Sequence, residues 1–363
     1  MWPNTQLLER FGIEIPVVQA PMAGPVFSDM VIAVAEAGGL GSLPCATMGF
    51  DQLRREFAAV RRGTAKPINV NFFCHATPTF DADREAAWRE RLRPYYVELG
   101  LDPDAPVPPS NRMPFDDEAC ALVEELRPEV VSFHFGLPEQ RLVDRVRATG
   151  AVVLSSATSV AEARWLEDHG CDVVIAQGVE AGGHRGMFLT DDIATQLGTF
   201  ALVPQVVDAV RVPVIAAGGI ADARGIVAAF VLGAAAVQMG TAYLFTPEAR
   251  LAVPHRDALS TERVRETALT NVFTGRPARG ILNRVMREVG PMTDLAPAFP
   301  LAGGALAPLR AAAEGTGSGD FMSLWSGQSA ALCRQTTAGE LTRRLASEAL
   351  SLLEHGISKG RRG

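Results

Sequence analysis

Residues 173–186, VVIAQGVEAGGHRG, decide how this chain is read. The apolar, β-branched run Val173-Val174-Ile175 has the make-up of a buried strand. The loop behind it packs four glycines, an acid, a histidine and an arginine. Glycine costs backbone entropy, so this many in one loop point to unusual φ/ψ or to close approach of backbone to a ligand. Gln177 stands at the strand's carboxyl end and His184 at the loop's centre. In parallel α/β folds, chemistry is built at that end. Taken alone, the loop fits equally well a glycine-rich turn with a surface histidine, so the rest of the chain decides.

Outward from this loop, short apolar runs alternate with amphipathic segments of helix length. Runs at 17–22, 40–43, 68–73, 130–135, 152–155, 173–176, 214–217 and 236–239 read as strands. Segments 28–37, 52–61, 118–126, 139–148, 160–169, 203–209 and 223–232 read as the helices between them. Strict βα alternation implies a parallel sheet, and eight units over this length favour a (β/α)8 TIM barrel. No G-x-G-x-x-G follows the first strand, which counts against a dinucleotide-binding sheet. The alternation breaks at 76–116, a proline-rich and charged insertion with one helical stretch at 82–93. After 245 the pattern turns to helices and loops without further strands, with helices at 260–271 and 280–288 and a loop at 291–308 over the barrel mouth. The expected division is a barrel from 1–75 and 117–245, and a smaller, mainly helical second domain from 76–116 and 246–335. A C-terminal helix (337–353) and a frayed basic tail, SKGRRG, fall in 336–363.

Composition narrows the function classes. A hydrophobic content of 47% is ample for a large core, and a net charge of −7 counts against nucleic acid as a partner. There is no basic leader with an apolar core, and no run of about 18 apolar residues to cross a membrane. The five cysteines are scattered and form no C-x-x-C pair, which reads as reduced thiols in a cytoplasmic protein. No spacing of histidines and acids indicates a metal site. Ser155-Ser156 lies in no G-x-S-x-G frame, so a serine hydrolase is unsupported.

The mouth residues follow from the strand ends. Gly218-Gly219 closes the seventh barrel strand, and Gln238-Met239-Gly240-Thr241 closes the eighth. Loops at these two strands often form a phosphate site, where a Cβ would hold the anion away from the amides. Ala20-Pro21-Met22 ends the first strand, and Asn71 and Gln177 end the third and sixth. Their carboxamides donate and accept, which suits the mixed edge of a flavin ring, although Asn71 also reads as a strand-end cap. His134, ending the fourth strand, points into the mouth or is a satisfied core histidine. His75 and His169 read as structural or exposed, and Arg185 as solvent-facing or as assisting His184.

QAPMAG (19–24), NVNFF (69–73), AQGVEAGGHRG (176–186), AAGGIADARG (216–225), QMGTAYLFTPEA (238–249), FTGRPARG (273–280) and SLWSGQSAAL (323–332) occur in this order. Together they resemble the nitronate monooxygenases, formerly called 2-nitropropane dioxygenases. The resemblance implies an FMN-containing barrel that oxidises nitronates or nitroalkanes with O2 to a carbonyl compound and nitrite. It implies FMN contacts from the backbone near Met22, from Asn71, Gln177 and Gly182-Gly183, from Gly218-Gly219 and from residues 238–241. His184 matches the family's catalytic histidine. An imidazole of ordinary pKa above the flavin could take an α-proton near neutral pH or, protonated, could instead hold the anionic nitro group. Phe299 and Leu301 stand where the family has tyrosines. Alternatives on the same barrel are an NAD(P)H:quinone reductase, an enoyl-acyl carrier protein reductase II, or a flavin-binding sensor. A homodimer stays open.

Overall fold

The computed structural model describes residues 1–108, 110 and 112–356; the SKGRRG tail lies outside the described residues. The strands are β1 (Val17–Gln19), β2 (Gly41–Pro44), β3 (Ile68–Phe73), β4 (Val130–His134), β5 (Val152–Ala157), β6 (Val173–Gln177), β7 (Gly183–His184), β8 (Val214–Ala217), β9 (Ala236–Met239), β10 (Thr267–Thr270) and β11 (Ala278–Ile281). Eight pair in parallel in the order β1-β9-β8-β6-β5-β4-β3-β2. A bridge between Val18 and Leu40 brings the two edges together, so the sheet is a nearly closed barrel with helices around it. The expected fold class holds, and β8 and β9 are the seventh and eighth barrel strands.

The strands read as continuous apolar runs because both of their faces are covered. Along β6, Val173 and Ile175 point into the barrel, where they join Val18, Leu40, Val130, Leu154 and Ile215. Val174 and Ala176 point outward into the layer shared with the surrounding helices. Leu7, Phe11 and Ile13 join the inner cluster, so the helix Gln6–Phe11 stoppers the barrel's amino end. Arg10 pins it there through Asp172, just before β6, at 2.7 Å. The C-terminal helix Ala338–His355 starts at a capping box formed by Thr337 and Glu340. It packs on the barrel helices Ser28–Glu36 and Ala223–Val231. No helix of the described residues is long and apolar enough to cross a membrane.

The insertion forms the helix Ala82–Glu98, capped by the Asp81 carboxylate. Its Trp88, Leu92, Tyr95 and Tyr96 share an apolar cluster with Phe273, Met286, Leu306 and Leu309, which lie far along the chain. The Trp88 indole donates to the Ala302 carbonyl at 3.1 Å.

Beyond residue 245 the reading needs correction. The expected helix at 260–271 is a short 3-10 turn, Glu262–Arg265, followed by β10. At 280–288, the first residues belong to β11, and the helix starts only at Arg284, behind the Asn283 cap. The loop at 291–308 gives way to the helix Gly303–Gly315. The region therefore holds strands. β10 and β11 are antiparallel, and β11 pairs with β7 from the histidine loop. Outside the βα repeat a four-residue strand has no neighbouring units to reinforce its signal, and the β7 partner of β11 lies almost a hundred residues upstream.

Trp88→Ala should cost about 3–5 kcal/mol, the usual range for deleting a buried tryptophan. Urea unfolding measures it. An unchanged midpoint would show that the insertion is not tied to the 273–309 cluster.

Candidate active site

The loop behind β6 folds back onto the end of its own strand. Arg185 is fully buried, so its expected solvent-facing position is overturned. Its guanidinium donates to the Gln177 and Gly178 carbonyls at 2.6 Å each, and to Gln196 Oε1 at 3.0 Å. Burial pulls its pKa down to about 10, which leaves it charged at neutral pH. Three acceptors in the loop repay the loss of water around this cation. Gln177 makes a second tie: its Nε2 donates to the His184 carbonyl at 3.0 Å, and its Oε1 accepts from Gly186 N at 2.7 Å. A third comes from His134, whose Nε2 lies 3.2 Å from the His184 carbonyl and whose Nδ1 lies 3.1 Å from Ser156 Oγ. On the far side, Glu180 receives the Thr199 N–H and hydroxyl at 2.9 Å. Gly182 is required by packing, because a Cβ there would sit 2.5 Å from Gly327 N.

These ties turn the His184 ring into a cavity of about 680 Å³ at the barrel mouth. That size is ordinary for a small-molecule or cofactor site. The barrel-end residues Ala20, Pro21, Met22, Asn71, Gln177, Gly218, Gly219, Gln238, Gly240 and Thr241 all line it, as do Gly182, Gly183 and His134. Met239 does not: it is buried in the layer between sheet and helices. Asn71 donates its Nδ2 to the Ser132 hydroxyl at 2.9 Å. His75 is buried with its ring 4.8 Å from that of Phe299, and His169 stacks on Trp165 at 3.9 Å.

Several polar groups of the lining are open to a ligand. Gly218 and Gly219 take positive φ, 104° and 70°, which exposes their backbone at the end of β8. Among the described residues no acceptor meets the N–H groups of Gly219 and Gly240. Gln238 Oε1 is buried without a partner. Thr241 Oγ1 accepts from Gly327 N at 2.9 Å, so its own proton is free to donate.

Around His184 stand the rings of Phe73, Phe135, Phe299 and Trp325, with centroids 5.4–6.2 Å away. Burial, and then the charge of Arg112, hold the His184 pKa well below its ordinary value. Burial likewise takes His134 and His75 down to about 4. All three imidazoles are neutral at pH 7. His184 Nε2 lies 3.0 Å from Thr274 Oγ1, whose hydroxyl donates to the Arg276 carbonyl at 3.4 Å. With the hydroxyl so directed, Thr274 would accept from Nε2–H and leave the lone pair on Nδ1, which meets no hydrogen-bond partner among the described residues. Thr274 and Trp325 sit in the motifs FTGRPARG and SLWSGQSAAL, but neither was singled out from sequence; Arg112, in the proline-rich insertion, left no signal at all.

The chain matches the family model described as nitronate monooxygenase over residues 4–348. It belongs to the nitronate monooxygenase family. A nitronate monooxygenase of Pseudomonas aeruginosa is 42% identical over 341 residues, covering 93% of this chain and 97% of that one. The solved nitroalkane oxidase of Streptomyces ansochromogenes superposes with a TM-score of 0.88 at 37% identity, covering 96% of this chain and 99% of its own. FabK of Thermotoga maritima is more distant, with a TM-score of 0.74 at 28% identity over 98% of both chains. Nitronate monooxygenases are flavin-dependent oxidoreductases, and this chain shares their barrel from end to end.

Arg185→Met should cost about 2–6 kcal/mol, because two buried carbonyls lose their donor at about 1–3 kcal/mol each. The loss should also loosen residues 178–196. Limited proteolysis with thermal unfolding reads both effects, and a loop as resistant as the parent's would remove Arg185 from its role as the clamp.

Proposed function

We propose that this protein is a nitronate monooxygenase that uses FMN to convert alkyl nitronates, and neutral nitroalkanes, with O2 into a carbonyl compound and nitrite. The observation that carries this reading is a neutral imidazole, with Nδ1 unencumbered, facing a cavity that also holds unpaired backbone N–H groups. The residues fit a flavin mononucleotide. Gly218-Gly219, Gly240 and Thr241 would receive the phosphate, and the orphaned Gln238 Oε1 would accept from a ring N–H. Asn71, Gln177, Gly182-Gly183 and the backbone of Ala20-Pro21-Met22 would border the ring. FMN, when bound, supplies the electron acceptor and the reaction with O2. In this reading the barrel is formed by 1–75 and 117–245, and 76–116 with 246–335 covers its mouth.

The chain's own residues divide the remaining work. His184 Nδ1 takes the α-proton of a neutral nitroalkane, and the electron pair left behind spreads onto the nitro oxygens. Thr274 fixes the tautomer that makes this atom the base. Arg185, Gln177 and His134 hold the loop so that the ring does not swing away. The four aromatic rings exclude water, which would otherwise compete for the proton.

His184→Gln should lower turnover of neutral nitroalkanes by roughly 10²–10⁴-fold, the usual worth of positioned proton transfer. A preformed nitronate, already deprotonated, should lose less. Nitrite release without added NAD(P)H measures both substrates. NADH-driven flavin reduction with no reaction on nitronates would move the assignment to a reductase. Equal losses on both substrates would assign His184 to binding.

The depressed pKa sets the pH profile. The base form of His184 is complete above its lowered pKa and is lost as pH falls through it. Activity on a neutral nitroalkane should therefore stay level from pH 8 to 6.5 and decline only at more acid pH. A limb at or above pH 6.5 would contradict a buried base.

Gly240→Asp tests the phosphate site. A Cβ there meets only Ala20 Cβ and Met22 Sδ at 3.5 Å, so the backbone tolerates it. The new carboxylate should repel the phosphate and release FMN, seen as loss of bound flavin absorbance after desalting. Full retention of flavin would place the phosphate elsewhere.

A further inference from the structure

We propose that Arg112 is the anion anchor of the cavity, gripping the two oxygens of the substrate's nitronate head through its guanidinium fork. The inference rests on the function proposed above and supplies what that function lacks, a counter-charge for an anionic substrate.

Arg112 comes from the proline-rich insertion, where its N–H donates to Ser110 Oγ at 3.2 Å. Its side chain is half-buried and lines the same cavity as His184. Among the described residues its guanidinium has no hydrogen bond and no ion pair. The carboxylates in the lining do not serve it. Glu180 is committed to Thr199, and Glu314 is exposed and unpaired with it. Burial, and then the like charge of Arg310, hold the Arg112 pKa below its ordinary value.

The other cations near the cavity are committed or exposed to solvent, with Arg276 donating to the Met187 carbonyl and Arg310 lining the cavity from its solvent side. Arg250 pairs with Asp29 at 2.9 Å, Arg185 is spent on carbonyls, and Arg310 is exposed. The three imidazoles are neutral and carry no positive charge to an anion. A partly desolvated, unpaired guanidinium is costly, more so beside a second one, and an incoming anion relieves that cost. Arg112 and His184 line one cavity, and among the charges acting on His184 that of Arg112 is foremost.

A nitronate carries its charge on two oxygens of one planar nitrogen, and this geometry suits a bidentate fork as a carboxylate does. With those oxygens on Arg112, a charge that develops during proton removal to His184 Nδ1 is met by a fixed cation. His184 and Arg112 then hold separate roles: one moves the proton, the other holds the charge.

The test uses the flavin-loaded, full-length protein and variants Arg112→Met and Arg112→Lys. Nitrate and nitrite, planar oxyanions that need no turnover, are titrated calorimetrically and by perturbation of flavin absorbance. The parent should bind them. Arg112→Met should weaken binding, and raise KM for a nitronate, by about 10–100-fold, the worth of hydrogen bonds to a charged group. Arg112→Lys, which keeps the charge without the fork, should recover part of the affinity. Flavin content and thermal midpoint should match the parent's in both. Oxyanion and nitronate affinities in Arg112→Met equal to the parent's would overturn the proposal, as would a parent that binds neither oxyanion. If the parent binds nitrate through Arg112 but does not turn over nitronates, the anchor stands and the proposed function falls.

Discussion

A buried guanidinium at the carboxyl end of β6 is the constraint on which the site depends. Strand ends in a parallel barrel leave carbonyls pointing toward the mouth, and a glycine-rich loop cannot satisfy them by its own conformation. Arg185 turns back to do so from within that loop. The chain must then reverse over a few residues, which puts His184 on the cavity side and leaves its carbonyl available to Gln177 and His134. The reversed segment is straight enough to pair as β7 with β11. Residues beyond the barrel thus complete the histidine loop, and Gly327 packs so closely on Gly182 that no side chain fits between them. The site cannot form before these distant pieces of chain have come together.

The electrostatics follow from that packing. Every imidazole near the mouth is enclosed, and burial disfavours the charged form of each. The arginines nearby push in the same direction. Protein interiors of low effective dielectric strengthen such interactions. The outcome is an imidazole that is neutral at neutral pH, in a pocket that also holds the unpaired Arg112 guanidinium. An ordinary imidazole pKa, the natural expectation from the residue type, would have left a large fraction of His184 protonated at slightly acid pH. Enclosure, which sequence does not display, is what moves it.

The barrel was legible because its signal is repeated. Eight apolar runs with intervening helices reinforce one another, and β3, β8 and β9 fall within the runs read for them. The cavity-lining strand ends were legible for the same reason: once the strands are placed, their carboxyl ends share one mouth. What failed was local and non-repeating. β10 and β11 stand outside the repeat, and the second partner of β11, the strand β7, is remote in sequence. The sign of burial at Arg185 was lost because arginine is usually exposed, and nothing in GGHRG tells that three acceptors await it. Arg112 was lost because its surroundings are prolines and charges, a composition that normally marks surface.

Residue type also carries less meaning than position at this mouth. Gln177 reads as a ligand-facing carboxamide, yet both its ends are occupied in holding the loop, at 3.0 and 2.7 Å. Gln238, of the same type, leaves its oxygen buried and unmatched. A buried acceptor without a donor costs free energy in the protein alone, and any ligand that supplies an N–H recovers it. The two glutamines therefore divide into one that holds the loop and one whose oxygen the fold leaves without a partner. The same division separates the arginines, with Arg185 satisfied by backbone and Arg112 left unpaired. Groups that the fold satisfies build the cavity, and groups that it leaves unsatisfied select what enters it.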